Sequence, residues 1–154
     1  MKKLAICAAL SACLFTQAYA ASADVLSATG RGLTDAQKAS ALQLCKVPAG
    51  QQLEPKQAMC VAYVYGSLRA AALPAESRDV LTQLYRSKGD AGFADFRKQQ
   101  IDACKAASGK ADSGTEPLCK ASVEGVLETV KTMANSAAKK AASAASAAST
   151  AATR

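Results

Sequence analysis

Four cysteines in two equally spaced pairs constrain this chain more than any other feature. Fourteen residues separate Cys45 from Cys60, and fourteen separate Cys104 from Cys119. The other two cysteines, Cys7 and Cys13, fall within the first twenty residues. That segment has three zones: Lys2 and Lys3, an apolar run from Leu4 to Phe15, and a polar stretch ending in Ala18-Tyr19-Ala20. This is the form of a secretory signal with a small-x-small cleavage site, and a cut after Ala20 is expected. The tetrapeptide Leu10-Ser11-Ala12-Cys13 has the form of a lipobox, which would instead anchor the chain through Cys13. Only twelve residues precede that cysteine, against the ~15–30 of ordinary signals, so the longer cut is preferred.

An even set of four cysteines in an oxidising compartment predicts two disulfides. A four-cysteine zinc site would want close pairs such as C-x-x-C, and the sequence has none, so no metal and no cofactor is expected. Four cysteines allow three pairings. The local one, Cys45 with Cys60 and Cys104 with Cys119, is expected because each pair flanks one interhelical loop. Closing a loop of that length stabilises by roughly 3 kcal/mol in the chain-entropy model.

Alanine makes up about a quarter of the residues and aromatics 5%. That balance favours helices over sheet, because strands are enriched in β-branched and aromatic residues. The expected fold is all-α, a small bundle of about five helices braced by the two disulfides. Residues 21–32 read as a flexible lead, and residues 33–133 as the helical domain. Thr34 and Gln37 have capping-box spacing at the first helix. Leu33, Leu42, Leu44 and Cys45 give that helix an apolar face, and Pro48 and Gly50 are its expected stop. Pro55 suits the first turn of a second helix, whose face is read as Cys60, Tyr63 or Val64, Ser67 and Ala71. Gly66 lies inside that helix, either as the site of a close helix approach or as a tolerated defect. Pro74 separates it from a helix carrying Val80, Leu81, Leu84 and Tyr85. Gly89 stops this third helix, and Asp90 opens a fourth with Phe93, Phe96 and Cys104. After a polar loop from Gly109 to Gly114, Thr115 and Pro117 begin the last helix, with a stripe of Cys119, Val123, Val126, Val130 and Met133. From Ala134 to Arg154 the composition collapses to an Ala/Ser-rich low-complexity tail, read as solvated and at most partly helical.

The chain contains no histidine. The commonest general base, the histidine-based triads and most catalytic zinc sites are therefore out of reach. Asp90 with Asp95 and Glu124 with Glu128 are carboxylate pairs at helical spacing, a pattern typical of solvated surface, and no enzyme is expected. Cleavage after Ala20 would leave 17 basic and 12 acidic side chains, a net +5 that draws acidic partners without naming one. Nucleic acid is not an expected partner, since no aromatic-basic cluster offers a stacking surface. No run after the signal approaches the ~20 apolar residues of a membrane span.

The segment Cys60-Val61-Ala62-Tyr63-Val64-Tyr65-Gly66, with Leu44-Cys45 upstream, resembles the Rap/Tai family of type VI secretion immunity proteins. These are exported helical proteins whose second cysteine opens a C-x-x-Tyr-(Val/Ile)-x-Gly helix. The likeness covers residues 30–105 in layout and 60–66 in motif, while Cys119 and the Ala/Ser tail are extra to the family pattern. It implies a periplasmic protein that binds and inhibits a papain-like peptidoglycan amidase effector. By the same resemblance Cys45, Cys60, Tyr63 and Gly66 are structural positions and not contacts with the toxin. The residues alone leave open a chaperone-like stress protein, an envelope-binding accessory protein, and a homodimer.

Overall fold

The computed structural model describes residues 26–107 and 115–152. The proposed signal, all the other residues preceding Leu26 and the Gly109–Gly114 loop lie outside the described residues. Among the described residues every regular element is helical: α1 (Asp35–Leu44), α2 (Pro55–Ala71), α3 (Ala75–Ala107) and α4 (Thr115–Ala152), preceded by a helical turn at 26–29. Gly89, at φ 60° and ψ −151°, interrupts α3 and divides it into two limbs. The expected all-α bundle is therefore present, with the third and fourth predicted helices meeting at Gly89.

Local chemistry sets the ends of α1. The Thr34 hydroxyl accepts from the Gln37 amide at 3.2 Å, and the Gln37 side-chain carbonyl accepts from the Thr34 amide at 2.8 Å. This is the capping box its spacing predicts. The helix stops earlier than Pro48. Lys46 adopts φ 54°, its amide donates to the Gln43 carbonyl, and the Val47 amide donates to the Leu42 carbonyl. These paired bonds form a Schellman ending, with lysine in the left-handed position that usually holds glycine. The Gln57 side-chain amide then donates to the Lys46 carbonyl at 3.2 Å, fixing the start of α2 against the end of α1. Cys45–Cys60 and Cys104–Cys119 are bridged, the local pairing expected from the sequence.

The core is made chiefly where α2 crosses α4, the most extensive contact between elements. The buried residues of α2 are Ala58, Val61, Ala62, Tyr65, Gly66 and Ala70. Of the face read from the sequence, Cys60, Tyr63 and Ala71 are exposed, while Val64 and Ser67 are half-buried, Val64 against the core. Positions 58, 62 and 70 are alanines, whose small side chains hid a second, equally helical spacing. In α4 the buried positions are Thr115, Leu118, Cys119, Ser122, Val123, Gly125, Leu127, Val130 and Ala134, with Val126 and Met133 half-buried.

Gly66 and Gly125 make that crossing. A methyl group on Gly66 would fall onto the carbonyl of Ser122, and one on Gly125 onto the carbonyl of Tyr63. Of the two readings of Gly66, close helix approach is the one found. Ser67 adds a hydrogen bond across the contact, its hydroxyl donating to the Gly125 carbonyl at 3.2 Å.

The contacts at this crossing are reciprocal, and the sequence explains why. Cys45, Cys60, Tyr63 and Gly66 each lie 59 residues before Cys104, Cys119, Ser122 and Gly125. Ala62, Val64 and Leu68 recur at the same offset as Ala121, Val123 and Leu127. The unit α1–bridge–α2 therefore reappears as second limb of α3–bridge–α4. The two copies pack glycine to carbonyl with local two-fold character.

Three further expectations need correction. Residues 26–32, read as part of a flexible lead, hold a helical turn in which Leu26 and Thr29 are buried, with Gly30 against the Tyr65 ring. Leu44 and Val80, both assigned to apolar faces, are 68% and 66% exposed. No break separates the domain from the tail. Helix α4 runs on through 134–152, and Ala134 is buried with its carbonyl accepting from Arg86 at 3.2 Å.

Candidate functional site

One carboxylate of each pair read from the sequence, Glu124 and Asp90, is engaged in an ion pair between helices. Glu124 takes Arg97 in a two-point contact, at 2.8 Å to Nε and 3.1 Å to Nη2. Asp90 pairs with Lys131 at 2.5 Å, and the Lys131 ammonium also lies 5.8 Å from the centre of the Tyr85 ring. The hydrogen bond that the Lys131 ammonium donates to Asp90 holds the Lys131 pKa above its usual 10.5. Glu116 bridges Lys105 at 3.0 Å and Lys120 at 3.4 Å, Lys105 being the main reason its carboxyl stays below the usual range. The contacts of Asp90, Arg97 and Lys105 fasten the second limb of α3 to α4 at three points. Among the described residues no three or more Cys, Asp or Glu side chains are grouped to hold a metal ion.

Two surface features stand apart from this scaffold. The first surrounds the Cys45–Cys60 bridge, where the two cysteine Cα atoms are 5.8 Å apart. Leu44 precedes Cys45, Met59 precedes Cys60, and Tyr63 lies one turn beyond Met59 on the same face of α2. All three are exposed: Leu44 at 68%, Met59 at 39% and Tyr63 at 38%. The Tyr63 ring therefore does not serve the packing role assigned to it; the structural part of Tyr63 is its backbone carbonyl against Gly125. Gly66, Cys45 and Cys60 do occupy structural positions. The sequence motif of residues 60–66 thus encodes a bridge and a helix crossing, and its counterpart at 119–125 encodes the same two things.

The second feature is a groove of about 830 Å³ between the 28–33 segment, the end of α2, the start of α3, its second limb and α4. Leu33, Leu73, Leu81, Phe96, Val123 and Val126 give it apolar walls, and the Cys104–Cys119 bridge lies in its lining. Arg31 and Arg69 are its charged residues, and no carboxylate lines it. Sequence reasoning missed this groove because its walls come from five separate segments. A smaller cavity of about 200 Å³ lies between the 26–30 turn, α1 and α2, with Tyr65 and Lys38 in its lining. Burial there raises the Tyr65 phenol above its ordinary 10.0.

No described helix is long and apolar enough to cross a membrane, and two disulfides are compatible with an oxidising compartment outside the cytoplasm. Compared with protein-family models, curated proteins and solved structures, the chain shows no match.

Proposed function

We propose that this chain is an exported, non-catalytic binding protein of the periplasm that inhibits a peptidoglycan amidase effector of a type VI secretion system. The observation that carries this reading is the exposed trio Leu44, Met59 and Tyr63 around the Cys45–Cys60 bridge. Aromatic and methionine side chains are enriched at protein interfaces. Here they stand on backbone already fixed by a covalent bond, so little conformational entropy is lost on docking. The resemblance of residues 60–66 to the Rap/Tai motif supplies the class of partner. The histidine-free sequence agrees with an inhibitor, which contributes surface and not chemistry.

Met59→Asp and Tyr63→Asp test the surface. Both positions are exposed, so the variants should fold and melt close to the parent. If the trio is the interface centre, each change should weaken capture and inhibition of the effector by at least thirtyfold, the scale of a ~2 kcal/mol hot spot. Unchanged inhibition by both variants would remove this face from the interface. Failure of the parent protein to inhibit an amidase delivered by its own strain would remove the immunity reading itself.

A further inference from the structure

We propose that the groove between α2, α3 and α4 binds a single-chain anionic amphiphile of the long-chain fatty acid class, with its carboxylate held by Arg31 and Arg69. This inference is independent of the immunity reading and uses a different part of the molecule.

Three properties of the groove point to that ligand. Its volume, about 830 Å³, lies within the ~300–1,000 Å³ range of small-molecule sites, which are mostly apolar with a few polar groups that fix orientation. Its walls include apolar side chains that the fold leaves short of full cover: Leu73, Leu81, Phe96 and Val126 are half-buried, and Val80 is exposed. An acyl chain would remove that surface from water, the main source of affinity for such a tail. Its charge has one sign. Arg31 and Arg69 both line the groove and are exposed, which places them at the rim, and neither forms an ion pair among the described residues. This contrasts with Arg97, Lys98, Lys105, Lys120 and Lys131, all of which are paired with carboxylates. Two unpaired guanidinium forks beside an apolar trough suit a carboxylate head with an apolar tail, because a fork can give a carboxylate two parallel hydrogen bonds. Gln100 and Ser77 also line the groove and add uncharged polar groups.

The probe is a fluorescent long-chain fatty acid, titrated into the purified protein with both disulfides intact and below the micelle concentration. Saturable binding of one molecule per chain, displaced by palmitate, is expected. The methyl ester of the same acid should compete at least tenfold more weakly, because it keeps the tail and loses the charge. Arg31→Gln with Arg69→Gln should erase the preference for acid over ester, while Arg31→Lys with Arg69→Lys should retain part of it. Both sites are exposed, so far-ultraviolet circular dichroism should match the parent in each variant. A second arm, Leu81→Glu, places a carboxylate in the trough and should abolish binding of acid and ester alike. Absence of saturable fatty acid binding, or equal binding of acid and ester to the parent, would overturn the proposal. So would indifference of the acid to the glutamine double variant.

Discussion

Replacing Gly66 with alanine distinguishes a close helix crossing from a tolerated defect by the sign of the stability change. In a free helix the substitution would stabilise by about 1 kcal/mol, because glycine is the poorer helix former. At the α2–α4 crossing the new methyl meets the Ser122 carbonyl carbon and oxygen. That obstacle is backbone inside another helix and cannot rotate aside, so the helices must separate. Overpacking of this kind costs typically 1–3 kcal/mol, and rigid backbone places the cost toward the upper end. Set against the propensity gain, the net loss is about 2 kcal/mol. At about 3–5 °C per kcal/mol for a domain of this size, the melting temperature should fall by roughly 6–10 °C. Gly125→Ala should cost a similar amount, since its methyl meets the Tyr63 carbonyl in the reciprocal position. The double variant should lose less than the sum, because one separation of the helices relieves both clashes. Thermal unfolding followed by circular dichroism measures all three. A rise in melting temperature for Gly66→Ala would refute the crossing and, with it, the local two-fold packing.

Cys60→Ala and Cys104→Ala each open a bridge of sequence separation 15. Each should cost roughly 3 kcal/mol in the chain-entropy model, and calorimetry of the two variants should give similar losses. Proteolysis without reductant should release a peptide linking Cys45 to Cys60, whereas Cys45 linked to Cys119 would contradict the structure. Burial holds the Tyr65 pKa above 10.0 in the folded state, so the unfolded chain loses that proton first and stability should decline as pH rises through and beyond 10. Tyr65→Phe should flatten this alkaline decline in denaturant titrations; an unaltered slope would show that Tyr65 does not drive it. Glu116, held below 4.5 by Lys105 and then Lys120, contributes stability that is present above 4.5 and is lost as pH falls through its lower folded value. Glu116→Gln should make the acid limb of the stability profile shallower.

Cysteine spacing and capping chemistry made much of the fold legible. The two bridges, the Thr34 cap, the Pro55 start, the break at Gly89 and the start of α4 at Thr115 all follow from residues whose backbone or covalent preferences are local. The buried face of α2 was not legible. Alanine and glycine carry too little apolar signal to reveal which side of a helix another helix will approach. Leu44 and Val80 misled for the opposite reason, being large and apolar yet left at the surface, where hydropathy cannot tell packing from exposure. The turn at 26–29 was lost among small polar residues because Leu26 and Thr29 are buried only by tertiary packing, with Gly30 against the Tyr65 ring of α2. The groove lay beyond reach altogether, since Arg31, Arg69, Phe96 and Val126 meet only through tertiary packing. The repeat at an offset of 59 residues was in plain view at the cysteines, and following it to Gly125 would have exposed the helix crossing.

The most direct measurement for the proposed function is a contact competition between the parent strain and a sibling lacking this gene, with the parent's secretion machinery switched on or off. The account predicts that the sibling dies only beside an armed parent. Rescue should follow from the chain carrying its own signal and not from a version starting after Ala20 that stays in the cytoplasm. Survival of the sibling beside an armed parent, or rescue by the cytoplasmic version, would contradict a periplasmic immunity protein.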